Sequence, residues 1–462
     1  MKINIKDLPT AASFLVTEDC NLKCTYCFEK HKKNYMKKDV VRKGIKFLAD
    51  NAKKIKDETG KSDGFSALIF GGEPTLAPDA IDEICRVGFN YANKYNISFS
   101  AQIVTNATIM TDKLADIIRM WRDKVNLSVQ LSVDGVKEAQ DMYRITNSGN
   151  GSFDLVEKTI PKFKELYKER PKMLHLHACV NSGTLPYMFE TYKFFREEWG
   201  IPRIWFLPIA EEAWTDEDVE IYREEMEKIY QYIAKTVRET KSMDEVKNFA
   251  PIDRCMNPVG QKPSAPCGAG KHFISFCADG TIYGCHQLYF NDDSGEMAIG
   301  HLDDTPMINE SKRRVYLEYD NSSLSCPTDC SHDNCYRCIA ANYVKNGSLF
   351  EQIRGRYCEM MRIDEEYQHK MRELVIDLGM AKRSQLYPQE NGNSCSIDSS
   401  CGDDCQCGNG DGSCGDNGNS HNRPSRNQVT DNQILAKGIK QVMLNQENIK
   451  NELKEIKQML NK

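Results

Sequence analysis

The sequence lacks three features that would place the protein in other classes. It has no uninterrupted run of about 20 apolar residues, so it predicts no transmembrane helix. Its first apolar stretch is too short and interrupted for a signal peptide, and we therefore expect a cytoplasmic protein. It also lacks a large excess of either charge, because 61 Lys and Arg against 67 Asp and Glu give a net charge of −6. This mild acidity argues against a nucleic acid or an anionic membrane as the main partner.

Cysteine, by contrast, is abundant, with 19 residues. In a long chain without an export signal, clustered cysteines bind metals or iron–sulfur centres more often than they form disulfides. Most of these cysteines are therefore expected to be ligands. Cys85 and Cys179 lie in a helical and a strand pattern, respectively, and are predicted to be buried core thiols.

The first 240 residues alternate between strand and helix patterns. Six short segments rich in β-branched residues predict strands, and amphipathic stretches between them predict helices. The predicted strands span 11–18, 67–74, 97–106, 127–135, 174–181 and 203–210. This order predicts an α/β fold, a partial (β/α)6 TIM-like barrel over residues 1–240. In such folds the chemistry lies at the C-terminal ends of the strands.

Three further regions follow the predicted barrel. Residues 250–380 are rich in Cys, Gly and Asp, which predicts a smaller domain held together by metal clusters. Residues 388–427 form a Cys- and Gly-rich segment of low complexity that is predicted to be a disordered linker. Residues 428–460 repeat apolar side chains at spacings of three and four, which predicts a coiled-coil helix. That helix either joins a partner or a second copy of the chain, or packs on its own domain.

The strongest motif follows the first predicted strand. Cys20, Cys24 and Cys27 are spaced so that their thiolates converge on one cluster. Three protein ligands leave one metal open to a small molecule, which indicates chemistry rather than architecture. A zinc site with His31 as the fourth ligand is the alternative.

This motif, with Tyr26 just before the third cysteine, resembles the radical S-adenosylmethionine (SAM) superfamily. The resemblance implies that Cys20, Cys24 and Cys27 are the catalytic centre and hold a [4Fe–4S] cluster whose open iron binds SAM. It also implies that an external electron donor of the flavodoxin or ferredoxin type reduces the cluster. The 5′-deoxyadenosyl radical formed from SAM then takes a hydrogen from the substrate.

The resemblance extends to residues at the ends of the later strands. It implies that Glu73 accepts from the SAM amino group, that Ser132 contacts the ribose and that Arg144 binds the carboxylate, for which a guanidinium is well suited. Asp134, after the same strand as Ser132, is followed by a glycine, and an Asp-Gly pair is the signal of a simple turn. The full set of predicted cofactor contacts is Tyr26, Gly71, Gly72, Glu73, Asn106, Ser132 and Arg144.

A second group of cysteines lies downstream and exceeds one four-coordinate site. It consists of Cys267, Cys285, Cys326, Cys330, Cys335, Cys338 and Cys358. Two zinc sites would satisfy this spacing. The pattern also resembles the SPASM domain, a C-terminal extension of radical SAM enzymes that holds two auxiliary [4Fe–4S] clusters, which makes three clusters in all. The spacing from Cys326 to Cys338 departs from the commonest SPASM pattern.

The resemblance also divides these ligands between two clusters. The outer cluster would be held by Cys326, Cys330, Cys335 and Cys358. The inner cluster would be held by Cys267, Cys285 and Cys338. Its fourth ligand remains open among Cys255, Cys277 and a substrate thiolate.

Enzymes with this pair of domains mostly modify peptides or proteins, and several reactions compete. They are thioether formation in a Cys-containing peptide, formylglycine formation in sulfatases, and carbon–carbon crosslinking or epimerisation. In sulfatase-maturing enzymes an Asp follows the cysteine equivalent to Cys285, whereas His286 follows it here, which weighs against the second reaction. The segment from Cys24 to Lys33 resembles maturases of Cys-x-x-x-repeat peptides. We therefore predict a peptide maturase that installs Cys-to-carbon thioether crosslinks in a ribosomally made peptide. A non-catalytic iron–sulfur or zinc scaffold is the alternative class.

Overall fold

The computed structural model describes residues 4–259, 267–318 and 338–388. In these ranges nine strands form one sheet, in the order β6-β5-β4-β3-β2-β1-β7-β8-β9. The strands are β1 (Ala11–Thr17), β2 (Phe65–Gly71), β3 (Phe99–Thr105), β4 (Leu127–Ser132), β5 (Leu174–Val180), β6 (Arg203–Pro208), β7 (Phe273–Phe276), β8 (Thr281–Tyr283) and β9 (Ala298–His301).

Fourteen α-helices lie in the same described ranges, and α6 continues as a π-helix over Phe194–Glu198. The helices are α1 (Lys38–Thr59), α2 (Pro78–Tyr95), α3 (Asp112–Trp121), α4 (Lys137–Tyr143), α5 (Phe153–Leu166), α6 (Met188–Lys193), α7 (Asp216–Thr240), α8 (Asp244–Asn248), α9 (Ala250–Asp253), α10 (His286–Phe290), α11 (Glu310–Leu317), α12 (Ile339–Asn346), α13 (Arg356–Asp377) and α14 (Arg383–Leu386).

Strands β1 to β6 run parallel, each paired with the next in the chain. This order confirms the predicted α/β architecture with a parallel sheet. Burial alternates strictly along β2, β3 and β5, so one face of the sheet packs in the core while the other, here called the inner face, is half-buried. Because the strands are parallel, the loops after their C-terminal ends meet at one edge of the sheet.

Local sequence explains the long helices that flank the sheet. In α1 the buried residues Val41, Ile45 and Leu48 recur at helical spacing, and Gly60 ends the helix at φ +72°, a conformation that glycine adopts without strain. Helix α7 begins with a capping box between Thr215 and Asp218. Local sequence signals therefore account for the end of α1 and the start of α7.

The predicted second domain joins the same sheet as the barrel strands. Strand β7 pairs in parallel with β1, and β8 and β9 then continue the sheet in antiparallel fashion. The rings of Phe14 and Phe276 lie 5.0 Å apart, and the hydroxyl oxygens of Ser13 and Ser275 are 2.5 Å apart. The predicted domain boundary near residue 250 therefore separates strands of one continuous sheet. The sequence did not predict this, because local patterns do not reveal the pairing of β7 with β1.

Several predictions fall outside the described residues. They concern Cys326, Cys330, Cys335, the linker 388–427 beyond its first residue and the coiled-coil helix 428–460. These assignments, and the complete SPASM domain, stay predictions. Within the described ranges, no helix combines the length and apolar character needed to span a membrane.

We predict that Phe276→Ala lowers the free energy of unfolding by about 3–5 kcal/mol, because it empties a fully buried ring site between β7 and β1. Urea unfolding followed by circular dichroism measures this. Met120→Ala, at a side chain that is 51% exposed, is the control and should change the value by less than about 0.5 kcal/mol. A separate early transition caused by Phe276→Ala would contradict the continuous sheet.

Candidate active site

The loop after β1 carries the three thiols of the first motif. Cys20 is buried, Cys24 is half-buried and Cys27 is exposed. The backbone N–H of Leu22 donates to Cys20 Sγ over 3.5 Å, and the N–H of Cys27 donates to the carbonyl of Cys24 over 3.1 Å. The thiols of Cys24 and Cys27 both act electrostatically on Cys20, so the folded loop brings the three sulfurs together.

Burial dominates the acid–base properties of these thiols. It raises the pKa of Cys20 and Cys24, which are buried and half-buried, respectively. Such thiols form thiolates only beside added positive charge, which a metal centre supplies. His31 Nε2 lies 3.7 Å from Cys27 Sγ, so the zinc alternative has its fourth ligand nearby. Among the described residues, no three such side chains already stand in a closed metal-binding arrangement.

The end of β2 crosses close to the end of β1, which explains the two glycines there. Gly71 has φ +131°, and a Cβ atom on it would lie 2.1 Å from the carbonyl oxygen of Thr17. A Cβ atom on Gly72 would lie 2.3 Å from the carbonyl oxygen of Asp19. The glycines therefore allow the segment before Glu73 to lie against the thiol loop.

The carboxylate of Glu73 is fully buried and joins the ends of β2 and β3. It accepts from the N–H and the hydroxyl of Thr75, from the Thr105 hydroxyl over 2.7 Å and from the Asn106 N–H over 2.7 Å. Burial raises the pKa of Glu73, and these four donors oppose that rise. Oε2 accepts only the Asn106 N–H among the described residues, which leaves it room for a further donor such as an ammonium group.

Asp134 forms a second buried hub, although its Asp-Gly sequence also fits a simple turn. Its side chain accepts from the Tyr26 hydroxyl over 2.5 Å and from the Cys179 N–H over 3.0 Å. Arg144 Nε lies 3.0 Å from Asp134 Oδ1 as an ion pair, although without hydrogen-bond alignment. Burial opposes the charge of Arg144, yet Asp134, together with Tyr26, Cys24 and Cys179, outweighs it and holds the pKa of Arg144 well above its usual value.

The position of Cys179 corrects the prediction of a core thiol. It is half-buried at the C-terminal part of β5, and Arg144 Nη2 lies 3.8 Å from its sulfur. The strict alternation of β5 places it on the inner face beside the hub, which the apolar character of the strand alone did not reveal. Cys85, by contrast, is fully buried in α2, as predicted.

The remaining predicted SAM contacts lie at the same edge. The amide of Asn106 donates to Asn21 over 2.9 Å and approaches Cys20 Sγ at 3.9 Å. Ser132 is half-buried at the end of β4, in register with His177 of β5. His177 in turn is in register with Trp205, which is 40% exposed on the inner face of β6. Burial lowers the pKa of His177 to about 4, so its ring is neutral.

Three thiols of the second group also come together. Cys338 caps the N-terminus of α12 and accepts the Ala341 N–H over 3.4 Å. The thiols of Cys338 and Cys267 both act on Cys285, and Cys267 acts on Cys338. This is the predicted ligand set of the inner cluster.

The other described cysteines in this part of the chain are Cys255, Cys277 and Cys358. Cys255 and Cys277 are fully buried in the apolar core, and neither is among the groups that shift the pKa of Cys285. Cys358 is half-buried near the start of α13. The structure therefore favours neither Cys255 nor Cys277 as the fourth ligand.

Aromatic rings connect the two groups of thiols. The His286 ring lies 4.3 Å from the ring of Phe70, at the end of β2, and 6.2 Å from that of Phe28, next to Cys27. Its Nδ1 atom is buried and has no hydrogen-bond partner among the described residues. Burial lowers the pKa of His286 to about 4, so the ring carries no charge. His286, the residue after Cys285, thus contacts Phe28, the residue after Cys27.

Sequence reasoning missed several polar residues that support this site. Glu29 has one buried oxygen without a described partner, and burial together with Glu73 and Glu18 raises its pKa to about 8. Gln140 accepts the Asp134 N–H over 2.8 Å and donates to Ser152 over 2.9 Å. Neither residue belongs to a motif, and only the folded chain brings them to the site.

Comparison with known proteins identifies this arrangement. Residues 14–192, which carry both hubs and the first thiol loop, match the model of the radical SAM superfamily. Residues 14–192 form a radical SAM domain. Members of this superfamily use SAM and a [4Fe–4S] cluster, and the match therefore favours a cluster over zinc at the first thiol group. It confirms the prediction of a radical SAM enzyme.

The relatives of this radical SAM protein include several maturases. It is 26% identical over 336 residues to a cysteine-type anaerobic sulfatase-maturating enzyme of Clostridium novyi, covering 69% of this chain and 83% of the relative. It is 26% identical over 208 residues to the radical SAM cyclopropyl synthase TigE of Paramaledivibacter caminithermalis, covering 43% of this chain and 41% of TigE.

Two solved structures share the fold. One is anSMEcpe with bound AdoMet and the Cp18Cys peptide, with a TM-score of 0.59 and 20% identity, covering 80% of this chain and 99% of that one. The other is Streptococcus suis SuiB bound to its precursor peptide SuiA, with a TM-score of 0.50 and 15% identity, covering 76% of both chains.

We predict that Asp134→Asn costs about 3–5 kcal/mol of folding free energy and weakens SAM binding about tenfold, because it leaves the buried Arg144 without its counter-charge. Urea unfolding and anaerobic calorimetry with SAM measure the two effects. Asp154→Asn breaks only an exposed ion pair with Lys137 and should cost less than about 1 kcal/mol. Equal behaviour of the two variants would rule out the role given to Asp134.

Proposed function

We propose that the protein is a radical SAM peptide maturase that forms Cys-to-carbon thioether crosslinks in a ribosomally made, Cys-containing peptide. The contact of His286 with Phe70 and Phe28 carries this proposal. This contact supports a site in which the segment of Cys285 faces the loop that carries Cys20, Cys24 and Cys27. A substrate sulfur and a substrate carbon between the two groups would then be close to each other.

The inner face of the sheet supports a polypeptide substrate. Its side chains on β3 and β5, such as Gln102, His175 and His177, are polar and half-buried rather than packed in the core. Trp205 adds an exposed aromatic surface in register with His177. Two structures with this fold were solved with a bound peptide, the Cp18Cys peptide and SuiA, and we transfer peptide binding to this chain on that basis.

The proposal gives each group of residues a task. Cys20, Cys24 and Cys27 hold a [4Fe–4S] cluster, and Glu73 and Arg144 hold the amino and carboxylate groups of SAM. With the cluster and SAM both bound, the site would supply a 5′-deoxyadenosyl radical. Cys267, Cys285 and Cys338 would hold the inner of two auxiliary clusters, which would accept the electron released when a substrate thiolate bonds to the substrate carbon radical. Asp134 fixes Arg144 and Tyr26 in place.

Formylglycine formation in a sulfatase is the second candidate. The similarity to the sulfatase-maturating enzyme of Clostridium novyi favours it. The neutral ring of His286 at the position after Cys285 disfavours it, because that position carries an Asp in sulfatase-maturing enzymes. Carbon–carbon crosslinking and epimerisation need no substrate thiol beside the inner trio.

The proposed partners follow from this chemistry. They are the precursor peptide and a flavodoxin- or ferredoxin-type electron donor. The predicted coiled-coil helix, which lies outside the described residues, would bind a further partner or a second copy of the chain.

We expect that replacing Cys20, Cys24 and Cys27 together by Ala abolishes anaerobic formation of 5′-deoxyadenosine from SAM, because no other described thiols lie at the end of β1. Chromatography of the quenched reaction measures the product. Cys85→Ala is the matched control, since that buried thiol lies in the core, and it should keep SAM cleavage. Cleavage by the triple variant would refute the assignment.

We further expect that a Cys-containing peptide co-expressed anaerobically with the enzyme loses two hydrogens per crosslink, and that the same number of cysteines resists alkylation. Mass spectrometry after thiol alkylation measures both. Hydrogen loss with every cysteine still alkylated would instead show carbon–carbon crosslinking or another dehydrogenation. The Cys20, Cys24 and Cys27 triple variant serves as the blank.

A further inference from the structure

Tyr316 carries a buried hydroxyl that the fold leaves without a partner. The residue lies in α11 and is 2% exposed. Its hydroxyl has no hydrogen-bond partner among the residues that the structure describes. An unpaired buried hydroxyl is costly, so native proteins nearly always provide such a group with an acceptor.

Two glycines form a cradle around the Tyr316 ring. A Cβ atom on Gly270 would lie 2.2 Å from Cγ of the ring. A Cβ atom on Gly284 would lie 2.6 Å from Cζ and 3.1 Å from the hydroxyl oxygen. The N–H of Gly270 donates to the carbonyl of Gly284 over 3.0 Å, which joins the two sides of the cradle. The hydroxyl is therefore held against the backbone immediately before Cys285.

The titratable groups around this hydroxyl are Cys285, Asp292 and Tyr343, and it is hydrogen-bonded to none of them as the chain stands. After burial, the groups that raise the pKa of Tyr316 are Cys285, Asp292 and Tyr343, in that order. The carboxylate of Asp292 already accepts from the Ser294 hydroxyl and the Met297 N–H, among others. A tyrosine hydroxyl carries its proton at neutral pH and can donate a hydrogen bond.

We propose that Tyr316 is a positioning residue for the group held by Cys267, Cys285 and Cys338. Its hydroxyl donates a hydrogen bond to a sulfur of that group and raises the reduction potential there. The direction follows from charge, because a hydrogen bond to sulfur stabilises the reduced, more negative state. This inference rests on the proposed function, which gives that thiol trio an auxiliary iron–sulfur cluster.

The test is a potentiometric titration of the full chain, reconstituted anaerobically and followed by electron paramagnetic resonance. Replacing Cys20, Cys24 and Cys27 by Ala in all samples leaves the auxiliary signals alone. Tyr316→Phe should move one midpoint to a more negative potential, by a threefold to tenfold change in the reduction equilibrium, or roughly 30–60 mV for one electron. Tyr167→Phe is the matched control, because its buried hydroxyl donates to the Leu127 carbonyl over 2.9 Å, and it should leave every midpoint unchanged.

A donor replacement keeps the test decisive if Tyr316→Phe holds less iron. Tyr316→4-aminophenylalanine retains an N–H donor at the same place and should restore both the iron content and the midpoint. Equal midpoints in wild type and Tyr316→Phe, at equal iron content, would overturn the role of Tyr316. A failed rescue at full iron content would also overturn it.

Iron analysis of Cys285→Ala separates this inference from the proposed function. Unchanged iron content in that variant would show that Cys285 holds no auxiliary cluster, and it would refute the assignment of the trio. Reduced iron, combined with equal midpoints in wild type and Tyr316→Phe, would leave the trio assigned and overturn only the hydrogen bond.

Discussion

The buried ion pair between Asp134 and Arg144 is the interaction on which the rest of the site depends. Asp134 follows β4, Arg144 ends α4, and the same carboxylate takes the Tyr26 hydroxyl from the thiol loop and the Cys179 N–H from β5. Neither charge is stable in this dry environment without the other. The pair therefore fixes the thiol loop relative to two strands, and it gives the cofactor site its one strongly held cation.

Burial also controls the pKa values of both groups of thiols. Burial raises the pKa of Cys20, Cys24 and Cys285, so the protein alone does not favour their thiolates. The fold offers partial compensation, because Arg144 lowers the pKa of Cys24 and the N–H groups of Gln287 and Leu288 lower that of Cys285. A bound metal centre would supply the remaining positive charge, which is how a buried cysteine set becomes selective for a cofactor.

Sequence patterns predicted the elements of the sheet but not their long-range partners. The alternation of residues in β2, β3 and β5 and the amphipathic period of α3 are local signals. The pairing of β1 with β7 joins segments some 260 residues apart, so the predicted boundary near residue 250 did not anticipate the continuous sheet.

The candidate site shows the same limit. Its ligand residues lie in short motifs with defined spacing, and these could be predicted from the sequence. The supporting residues have no such spacing: Cys179 looks like any apolar strand residue, and Tyr316 has no motif at all. What distinguishes them is an environment built by several elements, such as the cradle of Gly270 and Gly284, and that environment exists only in the folded chain.

The aromatic contact between the two thiol groups adds a chemical constraint to this arrangement. Phe28, Phe70 and His286 bring three uncharged rings together where two anionic centres would approach each other. A protonated imidazole there would alter the charge balance of both groups, and burial prevents it by lowering the pKa of His286 to about 4. Phe28 lies on the solvent side of this contact, with its side chain 36% exposed. The inner face of the sheet, where Trp205 and His177 lie in register, would offer an extended polypeptide a surface with both polar and aromatic side chains.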